Sequence, residues 1–195
     1  MRKLPSLLLA ALYLLMIVVV RANAQAQKNP VVALDTTLGT IRVELYPDKA
    51  PTTVKNFLNY VQGKHYDGLL FHRVVPGFMI QGGGLYADLS EKPAGATIKN
   101  EAVNGLKNER GTLAMARRNA PDSADAQFFI NVKDNAFLNH RDETPAGFGY
   151  AVFGRVIQGM DVVDKIVAVP TTKKGPHENV PAEPIVIRSV RVVEP

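Results

Sequence analysis

The spacing of apolar residues limits this chain more than any other feature, because nearly all of it has the two-residue period of strands. Val31 to Ala33, and then Ile41, Val43 and Leu45, alternate with polar positions around a turn at 37–39. Further short apolar runs fall at 71–75, 78–81, 112–116, 127–132, 150–157 and 184–193. The helical period occurs only twice. Val54, Phe57, Leu58 and Val61 make a stripe between Pro51, suited to a first turn, and Gly63, suited to a stop. Met160, Val163, Ile166 and Val167 make the other. Seven or eight short strands, two helices and no strand–helix alternation predict a mainly β domain, an antiparallel barrel or sandwich.

The chain of 195 residues is long enough for one domain with a sizeable core. Its formal charge of +5 overstates its basicity. Arg2, Lys3 and Arg21 lie in the first 24 positions, which hold no acid; without them 20 basic residues face 18 acidic ones. No basic run remains that would track a phosphate backbone, so nucleic acid is not an expected partner. The same 24 residues read as a secretory signal peptide: a basic start, the apolar run Leu4 to Val20, and the small-residue pattern Ala22-Asn23-Ala24, repeated as Ala24-Gln25-Ala26. The run is also near the shortest spanning helix, so an uncleaved anchor is the alternative. Residues 25–30 read as a flexible lead-in and 31–195 as the domain. The lack of cysteine fits export, and the lack of an N-x-S/T site after the leader leans towards a bacterial periplasm.

Three strands carry a polar residue on the same face as an apolar one. Alternation pairs Arg73 with Phe71, Gln81 with Met79, and Gln127 with Phe129 and Asn131. Singly, such a residue is a snorkelling arginine or a glutamine bonded to a loop. Three together suggest a concave site lined by Met and Phe with a few oriented polar groups. Pro76-Gly77 reads as the turn joining the first two of these strands. The four histidines show no metal-binding spacing, His72 is read as a satisfied structural residue, and the triple glycine 82–84 opens no phosphate-binding helix. Asp122, Ser123 and Asp125 read as a solvated turn, and Met115 as core.

The segments FHRVVPGFMIQGG, GTLAMAR and DAQFFINV resemble the cyclophilin family of peptidyl-prolyl cis-trans isomerases, and FGYAVFGRVIQGMDVVDKIVAVPT is similar to its periplasmic bacterial branch. The likeness runs from about Val31 to Val193. It implies a closed eight-stranded antiparallel β-barrel capped by two α-helices, with a site on its outer surface. It also implies Arg73 as the catalytic arginine, Phe78, Met79, Phe129 and Leu138 as proline-pocket walls, and Gln81 as a partner of the substrate backbone. Gln127 would be a second polar neighbour, and Ala116 and Arg117 would offer backbone groups to an extended peptide. Phe137 stands where the family usually has tryptophan, and Tyr150 where it usually has histidine; both keep an aromatic beside the pocket, but the lost indole N–H implies weak cyclosporin binding. No metal or cofactor is implied. The expected partners are proline-containing segments of exported proteins, met by a monomer; a peptide-binding module without turnover is the rival reading.

Overall fold

The computed structural model describes residues 28–194. The proposed signal peptide lies outside the described residues. Among the described residues there are ten strands and two α-helices: β1 Val31–Thr36, β2 Gly39–Leu45, α1 Pro51–Gln62, β3 Arg73–Val75, β4 Met79–Gly82, β5 Thr112–Met115, β6 Phe128–Asn131, β7 Val152–Gln158, α2 Met160–Val167, β8 Thr171–Lys174, β9 His177–Pro181 and β10 Ile187–Val193. Eight form one antiparallel sheet in the order β10-β1-β2-β7-β5-β6-β4-β3; β8 and β9 form a separate hairpin. That hairpin is a correction to the sequence reading. Thr171 to Glu178 is polar and partly or fully exposed, so no apolar alternation announced it.

The sheet is strongly curled, yet its edge strands β3 and β10 do not pair with each other. The chain before β3 meets the chain entering β10 instead. Phe71 N donates to Ile185 O at 2.9 Å, Ile187 N to Leu69 O at 2.7 Å, and a single bridge joins Leu70 to Val186. The expected closed barrel is therefore not present as a continuous ladder. This crossing also breaks the expected pairing of Phe71 with Arg73. Phe71 points into the inner core with Val74, because residues 70–71 bond outside the β3–β4 ladder.

From β3 onward, alternation sorts side chains between two apolar clusters. Val74, Ile80, Leu113, Met115, Phe128 and Ile130 enter the main core, where both helices pack. The intervening Met79, Ala114 and Phe129 join Leu138 and Val152 in a smaller cluster on the opposite face. Helix α1 buries Val54, Phe57 and Val61 and half-buries Leu58, close to the predicted stripe; α2 buries Val162, Val163 and Ile166. The Glu101 carboxylate, from the long irregular stretch, accepts Thr52 N at 3.1 Å and Thr53 N at 2.8 Å at the start of α1. It thereby satisfies two orphan donors and complements the helix dipole. At the other end, Pro30 O accepts Leu45 N at 2.8 Å, so the lead-in is tied to the sheet before β1 begins.

Candidate active site

The smaller cluster floors a cavity of about 120 Å³ on the outer face of β3–β6. Of the eleven residues singled out in the sequence, all but Gln127 and Phe137 line it. Both absentees touch the lining: Gln127 bonds Gln81, and Phe137, 62% exposed, stacks on Phe78 with centroids 5.6 Å apart. Met79 and Phe129 are 2% and 5% exposed, so the floor is apolar and almost wholly buried, and Leu138 closes one side. Strand register creates the polar edge. Arg73 faces Gln81 across β3–β4, and Gln81 faces Phe129 across β4–β6. The turn at Pro76-Gly77, with Gly77 at φ +68 and Phe78 N bonded to Val75 O at 3.1 Å, returns Phe78 beside Arg73. The Arg73 guanidinium lies 6.0 Å from the Phe78 ring centroid.

A chain of side chains orients that guanidinium. Arg73 Nη1 donates to Gln81 Oε1 at 3.4 Å, and Gln81 Nε2 donates to Gln127 Oε1 at 3.0 Å. Gly84 makes room for the far link, since a Cβ there would overlap the Gln127 side chain. Ala116 N donates to Gln127 O at 3.0 Å. Beyond Gln81, a groove of about 240 Å³ continues past Ala116 and Arg117 to Arg118, Ser123 and Asp125. Asp122 and Asp125 serve the loop here: Asp122 accepts Asn100 N at 2.8 Å, and Asp125 pairs with Arg118 at 3.1 Å.

Sequence reasoning missed a buried asparagine relay under the cavity. Asn135 Nδ2 donates to Phe78 O at 2.9 Å and to Asn131 Oδ1 at 2.8 Å. Asn131 Nδ2 donates to Asn108 Oδ1 at 3.1 Å and Thr112 Oγ1 at 2.9 Å. Asn108 Nδ2 reaches Leu138 O at 3.2 Å and Tyr150 O at 3.3 Å. Three wall residues thus have their backbone carbonyls fixed by amides that are at most 1% exposed. Asn131 had a visible place on the Phe129 face; nothing in one sequence showed that Asn108 and Asn135 would meet it.

His72, beside Arg73, corrects the expectation of a satisfied histidine. It is 7% exposed and its Nδ1 has no partner among the described residues. Burial, reinforced by the charges of His177 and Arg73 and opposed by the Leu70 backbone, lowers its pKa to about 4. His72 is therefore neutral near pH 7.

The comparisons with known proteins agree with this geometry. The family described as "Cyclophilin type peptidyl-prolyl cis-trans isomerase/CLD" matches residues 31–192. A peptidyl-prolyl cis-trans isomerase of Acinetobacter baylyi is 58% identical over 170 residues, 87% of this chain and 89% of that protein. Peptidyl-prolyl cis-trans isomerase B of Escherichia coli is 55% identical over 163 residues, 84% of this chain and 99% of that protein. Among solved structures, a cyclophilin type isomerase of Cryptosporidium parvum superposes with a TM-score of 0.71 at 26% identity, covering 86% of this chain and 99% of that one. The chain belongs to the cyclophilin-type peptidyl-prolyl cis-trans isomerases. It is an enzyme of that type, and proline-containing peptides are its substrates.

Proposed function

We propose that the cavity floored by Met79 and Phe129 seats the substrate proline ring, and that Arg73 is the catalytic residue. The observation that carries this is the permanently charged Arg73 guanidinium, bonded to Gln81, at the edge of a proline-sized hollow floored by Met79 and Phe129. Rotation about an X-Pro bond breaks amide resonance, against a barrier of roughly 18–20 kcal/mol. As the bond twists, the prolyl nitrogen pyramidalises and regains a lone pair. A guanidinium N–H directed at that nitrogen donates a hydrogen bond that strengthens only as resonance is lost. This is selective binding of the transition state, and the apolar floor of Met79 and Phe129 raises its strength. Arg suits the role because it stays protonated and presents donors in a fixed plane. The step makes and breaks no covalent bond. The Gln81–Gln127 chain keeps the guanidinium at the rim, while Phe78, Leu138 and Tyr150 wall the ring. Gln81 and the Ala116 carbonyl hold the preceding residues in the groove, so one side of the bond is free to turn. In support, a second Cryptosporidium parvum structure of this fold was obtained in the presence of the dipeptide Ala-Pro, with a TM-score of 0.70 at 26% identity over 85% of this chain.

The leader sequence supports a periplasmic enzyme acting on exported proteins during folding. Mass spectrometry of the exported protein should find Gln25 as its first residue; a retained leader would replace this with a membrane-anchored isomerase. The activity test is a protease-coupled assay on an Ala-Pro-Phe peptide with wild type and Arg73→Ala. Rapid turnover that falls by two decades or more in the variant is the expected result. Equal rates would remove Arg73 from catalysis, and peptide binding without wild-type turnover would favour a binding module.

A further inference from the structure

The Arg117 guanidinium has no carboxylate partner among the described residues, yet all three of its nitrogens are engaged. Nε donates to Gly149 O at 2.9 Å, Nη1 to Arg118 O and Asn119 O at 3.0 Å each, and Nη2 to Pro145 O at 2.8 Å. Its Cζ lies 4.7 Å from the Tyr150 ring centroid, and that ring meets the Phe129 edge at 5.7 Å and 77°. The planar fork therefore staples the loop after β5 to the loop before β7, with the Tyr150 ring between the staple and the cavity floor. A lone surface arginine gains little by folding back on a chain, whereas one with four carbonyl acceptors and an aromatic face is held. Gly149 adds to the constraint. It sits at φ +82, and a Cβ there would be 2.7 Å from the Asn139 carbonyl carbon, so the entry to Tyr150 has little freedom.

We infer that the Arg117 side chain is a positioning residue for proline binding: it presets the Tyr150 wall of the pocket, a role distinct from the backbone contacts assigned to this position above. The inference rests on the reading that this cavity takes the proline ring. A preset wall contacts the ground state and the transition state alike, so its loss weakens binding without slowing the bound step. Charge alone does not supply the effect. Lysine keeps the charge but lacks the fork and the flat face.

The test measures peptide affinity and the on-enzyme isomerisation rate separately, for wild type, Arg117→Ala, Arg117→Lys, Tyr150→Ala and the double variant Arg117→Ala/Tyr150→Ala. Arg117→Ala should weaken peptide binding about tenfold, with the bound rate within twofold, and Arg117→Lys should behave like it. The double variant should bind no more weakly than Tyr150→Ala, since the two act as one unit. NMR of the free proteins gives a readout independent of turnover: ring shifts of Tyr150 and Phe129 should move, and amides of 146–149 should exchange faster, in Arg117→Ala. Full restoration by lysine, a fall in the bound rate equal to the fall in kcat/KM, or unchanged ring shifts would each overturn the inference. A wild type that never isomerises X-Pro peptides would remove the functional reading, and the ring shifts would still decide whether Arg117 holds Tyr150.

Discussion

Replacing His72 with glutamine should flatten the acid limb of the stability profile. The folded protein holds His72 at a pKa of about 4, against about 6.5 in an unfolded chain. Between those values the unfolded state binds the proton and the native state does not, so stability rises with pH. The contribution is fully present above about pH 6.5 and is lost as pH falls towards 4. The full separation of about 2.5 pKa units corresponds to roughly 3.4 kcal/mol, of which about 2 kcal/mol is lost at pH 5. His65, also lowered by burial and by Lys92, adds in the same direction. Carboxylates such as Asp35, lowered by its bond from Thr40 and its pairing with Arg191, act at more acid pH. These groups are common to wild type and variant and cancel in the difference. Urea unfolding of both proteins at pH 7.5 and pH 5 should therefore show wild type losing about 2 kcal/mol more than His72→Gln. Parallel losses would mean that His72 is not kept neutral by its burial, and the reasoning would fail.

Gly84→Ala should push Gln127 off Gln81 and lower kcat/KM about tenfold, equivalent to about 1.4 kcal/mol, while the melting temperature moves little; unchanged turnover would show that the Gln81–Gln127 link is dispensable. Asn135→Leu should leave the buried Asn131 Oδ1 without its donor, at about 1–3 kcal/mol, while the Phe78 carbonyl keeps its bond from Val132 N at 3.1 Å. Thermal unfolding should shift down by roughly 5–10 °C, and a shift below 2 °C would argue against the asparagine relay as a support of the pocket.

Where the chain keeps strict two-residue alternation, fold and site were legible together. In β6, Phe128 and Ile130 enter the main core while Phe129 and Asn131 lie on the opposite face under the cavity, as the period requires, and β4 divides Ile80 from Met79 and Gln81 in the same way. Reading failed where other bonds override the period. Phe71 escapes the β3 alternation because its N–H goes to Ile185, more than a hundred residues away. The β8–β9 hairpin is polar and partly or fully exposed from Thr171 to Glu178 and leaves no apolar signature. The family likeness singled out residues that converge on one cavity, including Leu138 and Tyr150, which no local pattern marks. What neither route reached is the support beneath them. Buried asparagines and the folded-back Arg117 look like ordinary loop residues until distant segments are brought together.

The central claim is that Arg73 acts on the twisted imide and not on ground-state binding. Exchange NMR on a labelled Ala-Pro peptide at saturating enzyme separates the two, because it reads the on-enzyme cis–trans rate alongside the dissociation constant. For Arg73→Ala the account predicts a bound rate reduced at least a hundredfold, about 2.7 kcal/mol, with affinity changed less than threefold. A variant that binds a hundredfold more weakly yet interconverts its bound peptide at the wild-type rate would contradict it.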